Sequence, residues 1–233
     1  MSLKGILFCA FLPLLFACGG VKKAQKSTAE EGLPVDLAEM QSRKLKSLYI
    51  DAKSAQIAGR KEEATRIYKK IIATDASCYA CMYELSKLSA ECRNLQEALS
   101  WSEKAKIGDP KNVFFGEQYA QSLFQSGKTE MAVEQITKLV REFKTVRELY
   151  QKAIFYSISN KNYDNAKTIA NEYDAQFGYG YRTFKLYDYV FKTAKDTLAL
   201  KDNYKKYSTK YKENQKVQIE YAEFLINYGF FQE

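Results

Sequence analysis

The chain of 233 residues contains no histidine. That removes Ser–His and Cys–His nucleophile pairs and every His-ligated zinc or iron site. Catalysis by Lys, Tyr, Asp or Glu has no positive signal in the sequence. No enzyme, metal site or cofactor is expected. Helix breakers are scarce as well, with 3 prolines and 11 glycines. Valine and isoleucine form no alternating runs that would mark strands. With 46% hydrophobic and 27% charged residues, the composition is that of a folded, all-α chain.

A periodicity fills the space these absences leave. Ala64, Ala98, Ala132 and Ala166 form a ladder, each five residues after a turn position held by Gly59, Arg93, Gly127 and Lys161. The step of 34 residues marks an array of helix–turn–helix units. In phase, the units are Leu45–Cys78, Tyr79–Asn112, Val113–Val146, Arg147–Gly180 and Tyr181–Asn214, with a sixth starting at Gln215. A first helix is expected from an N-cap at Asp36 to about Ile57. The second carries Ala64, Tyr68 and Ile71 on its inner face. The fifth unit departs most. Leu200 replaces the alanine, and Asp188 stands where Ala, Ser or Ile lies elsewhere, yet Phe184, Tyr187, Phe191, Tyr204 and Tyr207 keep core positions.

This pattern resembles the tetratricopeptide repeat (TPR). The second unit carries it most fully, with Leu85, Ser86, Ala98, Ala105, Asp109 and Pro110. The resemblance implies a right-handed superhelical solenoid over residues 36–233, whose concave face binds another protein or peptide. Helix A of each unit would line that face. By phase the inward residues are Tyr49, Lys53 and Gln56; Tyr83 and Lys87; Phe114, Glu117, Gln121 and Phe124; Gln151, Phe155 and Ile158; and Arg182, Lys185, Tyr189 and Lys192. Aromatics mixed with Lys and Gln suit an extended peptide or a helix. The clamp with which one TPR subtype grips a terminal carboxylate does not recur, since Tyr49, Lys53, Glu84, Phe114 and Gln118 stand at its positions. A small-molecule ligand is not favoured.

The sixth unit reaches Gly229 and the sequence stops at Glu233, one residue before the next alanine would fall. The favoured expectation is a longer array. In the other reading, Phe230 and Phe231 fold back or dock on a partner.

Residues 1–17 read as a leader. Lys4 precedes the apolar run Gly5–Phe16, too short to span a bilayer comfortably. Leu15-Phe16-Ala17-Cys18 resembles the lipobox of bacterial lipoprotein signal peptides. That resemblance implies cleavage before Cys18 and lipid on its thiol and new amine. Multiple acyl chains anchor stably where one does not. Gly19 stands where an inner-membrane retention signal would often place Asp, which favours outer-membrane sorting toward the periplasm. Residues 18–35 then form a polar tether. Anchor, tether and repeats together resemble larger periplasmic TPR lipoproteins of Gram-negative bacteria. The net charge is +8, concentrated between Arg182 and Lys216 and read as a solvated face. The envelope leader argues against nucleic acid as the partner.

Cys78-Tyr79-Ala80-Cys81 and Cys92 remain. Three fates are open for the close pair: buried or free thiols, a structural disulfide, or a redox pair at a helix start. No βαβ pattern surrounds them, and Met82 stands where haem attachment needs His.

Overall fold

The computed structural model describes residues 43–230. The leader, Cys18, the tether, the expected helix start at Asp36 and Phe231 lie outside the described residues. Those described form helices and turns only. The helices are α1 (Arg43–Ile57), α2 (Lys61–Thr74), α3 (Tyr79–Glu91), α4 (Leu95–Gly108), α5 (Val113–Gln125) and α6 (Thr129–Glu142). They continue with α7 (Arg147–Ser159), α8 (Tyr163–Phe177), α9 (Tyr181–Ala194), α10 (Thr197–Lys210) and α11 (Gln215–Asn227). Each helix packs on the next. From the second unit on, odd-numbered helices begin at Tyr79, Val113, Arg147, Tyr181 and Gln215, the phase expected from the sequence.

The turns enforce that phase. Gly59, Arg93, Gly127 and Lys161 all adopt positive φ, between 55° and 77°, and so do Lys195 and Gly229 farther along. Each closes its helix with the same two bonds. At the first turn, the Gly59 N–H donates to Gln56 O at 3.0 Å and the Arg60 N–H to Ala55 O at 2.8 Å. At the last, the Gly229 N–H donates to Ile226 O at 3.2 Å and the Phe230 N–H to Leu225 O at 2.8 Å. This left-handed stop satisfies the last carbonyls and turns the chain back on itself. Asn94, Asn162 and Asp196 then cap the returning helices by accepting a backbone N–H.

Ala64, Ala98, Ala132 and Ala166 are buried. Ala52 and Ala55 of α1 meet Ala64 and Tyr68 of α2 in one cluster; Ala120 and Leu123 of α5 meet Ala132 and Ile136 of α6 in another. Small side chains at the crossing let the paired helices approach closely, and the larger residues beside them fill the seam. Burying a Tyr68 or an Ile71 contributes roughly 1.5–3 kcal/mol each. In the fifth unit Leu200 is equally buried, within a cluster of Phe184, Tyr204, Tyr207, Val217 and Phe224.

Cys78 and Cys81 form a disulfide, and Cys92 is free and exposed. The free-thiol reading of the close pair therefore gives way to that bond. The cause is the start of α3, which brings the two Cα atoms within 5.3 Å. Cys78 Sγ also caps the helix, accepting the Cys81 N–H at 3.2 Å. Phe230 folds back, its ring 6.1 Å from that of Phe224. No helix among the described residues is long and apolar enough to cross a membrane.

Candidate partner-binding groove

Odd-numbered helices meet across the units, α3 touching α5 and α7 touching α9. Between α3, α5 and α7 lies a recess of about 340 Å³. Tyr83, Lys87, Phe114, Glu117 and Gln121, all expected there, line it together with Gln118, Gln125 and Lys152. Phe114 is half-exposed, and Lys87 Nζ sits 5.2 Å from the centre of the Tyr83 ring. Burial, reinforced by Glu84 and Glu117, pushes the Tyr83 hydroxyl up to about 12, so it remains a neutral donor.

Beside Lys87, a polar network joins α3 to α1. Glu84 is fully buried. One of its oxygens lies 3.1 Å from Lys53 Nζ; the other accepts from Gln56 Nε2 at 3.1 Å and lies 3.7 Å from Lys87 Nζ. Gln56 in turn accepts from the Tyr68 hydroxyl at 3.1 Å. A buried carboxylate is tolerable only with such partners. Lys152 bonds Glu117 across the gap between α7 and α5. Three glutamines on α5 offer both donors and acceptors at this surface.

Farther along, the lining changes character. Phe124 stacks on Tyr156 at 4.4 Å and meets Phe155 at 5.5 Å, and Phe155 is half-exposed. Burial and Glu117 push the Tyr156 hydroxyl up to about 12. Gln151 and Tyr189 are exposed, as is Lys192, which holds both oxygens of Asp188 at 2.9 and 3.0 Å.

Two expected groove residues are placed otherwise; Ile158 is 8% exposed and belongs to the central core. Tyr49 is only 1% exposed, its ring edge-on to Tyr68 at 5.5 Å. The large Tyr68 ring on α2 draws it into the core, so Tyr49 offers a partner nothing. Sequence phase missed Lys152, which reaches the recess from the next unit; a basic residue one period and one position after Glu117 was the available signal. Among the described residues, no group of three or more His, Cys, Asp or Glu side chains could hold a metal ion.

A solved tetratricopeptide repeat protein from Parabacteroides merdae superposes with a TM-score of 0.62 over 81% of this chain and 75% of its own, at 17% identity. The fold is that of a TPR solenoid. MamA gives a TM-score of 0.57 over 73% of this chain and 97% of its own, at 16% identity. YrrB, described as a TPR protein with an unusual peptide-binding site, gives 0.56 over 76% and 90%, at 13% identity. No family model and no curated protein matches the sequence. In TPR terms, odd-numbered helices are the A helices and even-numbered ones the B helices.

Proposed function

We propose that this chain is a non-catalytic scaffold, lipid-anchored in the cell envelope and facing the periplasm, which holds another protein by a peptide or helix laid along its A helices. The recess between α3, α5 and α7 carries this reading. It joins two rings, three amide side chains and the Lys152–Glu117 ion pair, a lining suited to backbone amides and mixed side chains rather than to one charge. The anchor rests on Leu15-Phe16-Ala17-Cys18. Envelope assembly or secretion is the setting this combination fits best. The competing reading, a glycan- or peptide-binding partner of an outer-membrane importer, would call for long inserted loops; the described helices are joined by two to four residues.

Crosslinking in intact membranes followed by pull-down tests the groove. A protein partner should be captured, and Tyr83→Ala together with Phe155→Ala should weaken capture at least tenfold, about 1.4 kcal/mol. Unchanged capture would move the binding surface elsewhere, and recovery of a transporter with bound sugar would favour the importer reading. Cys18→Ala should shift the protein to the soluble fraction; a variant that still pellets with membranes would place the anchor at another site.

A further inference from the structure

Charge is not evenly balanced along the A helices. Lys152 of α7 pairs with Glu117 of α5, Lys185 of α9 with Glu220 of α11, and Lys192 with Asp188 within α9. Each of these lysines has an acid of its own. Glu84 instead serves two, Lys53 of α1 and Lys87 of its own helix. One buried carboxylate neutralises one of them, and a positive charge is left over.

Distances show which lysine holds the surplus. Lys53 Nζ lies 3.1 Å from one Glu84 oxygen, a charge-assisted hydrogen bond. The other oxygen already accepts from Gln56 Nε2 at 3.1 Å, and Lys87 Nζ stands off at 3.7 Å. That is beyond hydrogen-bond reach, so the three donors of Lys87 are not spent there. Lys87 lies over the Tyr83 ring and lines the recess between α3, α5 and α7. The two acids of that lining are held by other lysines, Glu91 by Lys61 at 2.8 Å and Glu117 by Lys152. In and around the recess, four lysines thus meet three glutamates.

We propose that this recess reads one acidic side chain of the bound segment: an aspartate or glutamate carboxylate sits on Lys87 Nζ, and a large apolar residue beside it in the segment covers the half-exposed Phe114. This rests on the A-helix groove being the binding surface and adds what enters it. Gln121, one period after Lys87, and Gln118 and Gln125 supply amide donors around the same anion. A single surplus charge matches a single carboxylate. A phosphate or a run of acids brings more negative charge than the recess neutralises, and a basic segment is repelled. The groove continues past the recess to Lys53 on one side and to Phe155 on the other, so a segment crossing it presents a side chain there rather than its end.

The test selects binders to the full chain from a library of random peptide segments held between Gly-Ser flanks, which present no free terminus at the site. Selected segments should share one Asp or Glu next to a large apolar residue. Measured by anisotropy, replacing that acid by its amide should weaken binding about fivefold, with the loss shrinking at high salt. Lys87→Gln, which leaves Glu84 with Lys53 and Gln56, should weaken the parent peptide by a similar factor. The two changes together should cost no more than either alone, and Lys87→Arg should keep most of the affinity. The peptide arm decides the matter even if the Lys87→Gln chain folds poorly. Segments that need Tyr83 and Phe155 but carry no acid, or whose acid and amide forms bind alike, overturn this inference and leave the groove reading standing. So does selection that succeeds only with segments ending in a free carboxylate. A library that yields no binder, or binders indifferent to Tyr83→Ala with Phe155→Ala, overturns both.

Discussion

The units from α1 to α8 and the unit from α9 to α11 keep one period with two kinds of core. In the first four, a buried alanine sits at each helix crossing, and aliphatic side chains share the seam with tyrosines such as Tyr68 and Tyr173. In the fifth, Leu200 takes the alanine's place among stacked rings, Phe184 on Tyr207 and Tyr204 on Phe224, both at 4.2 Å. Rings with hydroxyls bring polar obligations into a core. The Tyr179 hydroxyl donates to Asn203 Oδ1 at 2.7 Å, and Asn203 Nδ2 donates to Phe184 O at 3.1 Å. The alanine is therefore one way to satisfy a helix crossing. The element common to both regions is the left-handed turn, present at Arg93 and Lys161 in one and at Lys195 in the other.

The strongest test of that contrast is a reciprocal exchange at the crossing. Leu200→Ala should open a cavity among Phe184, Tyr204 and Phe224 and cost about 3 kcal/mol, within the range for buried leucines. Ala166→Leu should cost about 1–3 kcal/mol by overpacking the fourth unit. Urea denaturation gives the totals, and hydrogen exchange should locate the first loss in α9–α11 and the second in α7–α8. If Leu200→Ala restored the pattern of the other units at no cost, the two cores would be interchangeable and the contrast empty.

A smaller effect of opposite sign addresses what the regions share. Lys161 and Lys195 hold φ of 55° and 57°, a conformation costly for side chains with a Cβ. Lys161→Gly and Lys195→Gly should each stabilise the fold by about 0.5–1 kcal/mol, the relief of strain exceeding the added entropy of the unfolded chain. Similar rises in thermal midpoint on both sides would support the turn as the carrier of phase. A gain on one side only would mean that aromatic packing positions α9–α11 without it.

This division explains what the sequence made legible. Turn positions and helix starts repeat along the chain, so each supports the others, and the order from Tyr79 to Gln215 could be read directly. Groove orientation depends on single neighbours. Tyr49 and Tyr83 occupy the same position in successive units, yet Tyr49 meets the large Tyr68 ring and turns inward, while Tyr83 stands at the recess beside Phe115 at 5.5 Å. Periodicity gives no account of that choice. Nor does it give the burial of Glu84, which needs Lys53 and Gln56 from one helix and Lys87 from another. The Cys78–Cys81 bond stayed open because spacing alone does not fix thiol chemistry.

The smallest expected effect lies at the seam between the two regions. A hydrogen bond from Lys167, then one from the Ala199 N–H, hold the Asp196 carboxyl below the usual aspartate range. Glu97 is lowered in the same sense, first by Lys69 and then by Trp101. A carboxyl with a depressed folded pKa contributes stability above its unfolded value, about 3.9 for Asp, and loses it as pH falls through the lower folded value. Stability should thus hold from neutral pH to about pH 4 and then decline. Both carboxylates are about one-third exposed, so solvent screens the pairs and each contribution is small. Asp196→Asn keeps an acceptor for the Ala199 N–H while removing the charge that Lys167 grips. It should lower the neutral-pH midpoint slightly and flatten the decline below pH 4, with hydrogen exchange rising first where α8 meets α10. An acid profile identical to that of the parent chain would show that the ion pair does not hold the aromatic unit to the alanine units, leaving that task to Leu186, Phe191 and Tyr179, which pack against the central core from the α9 side.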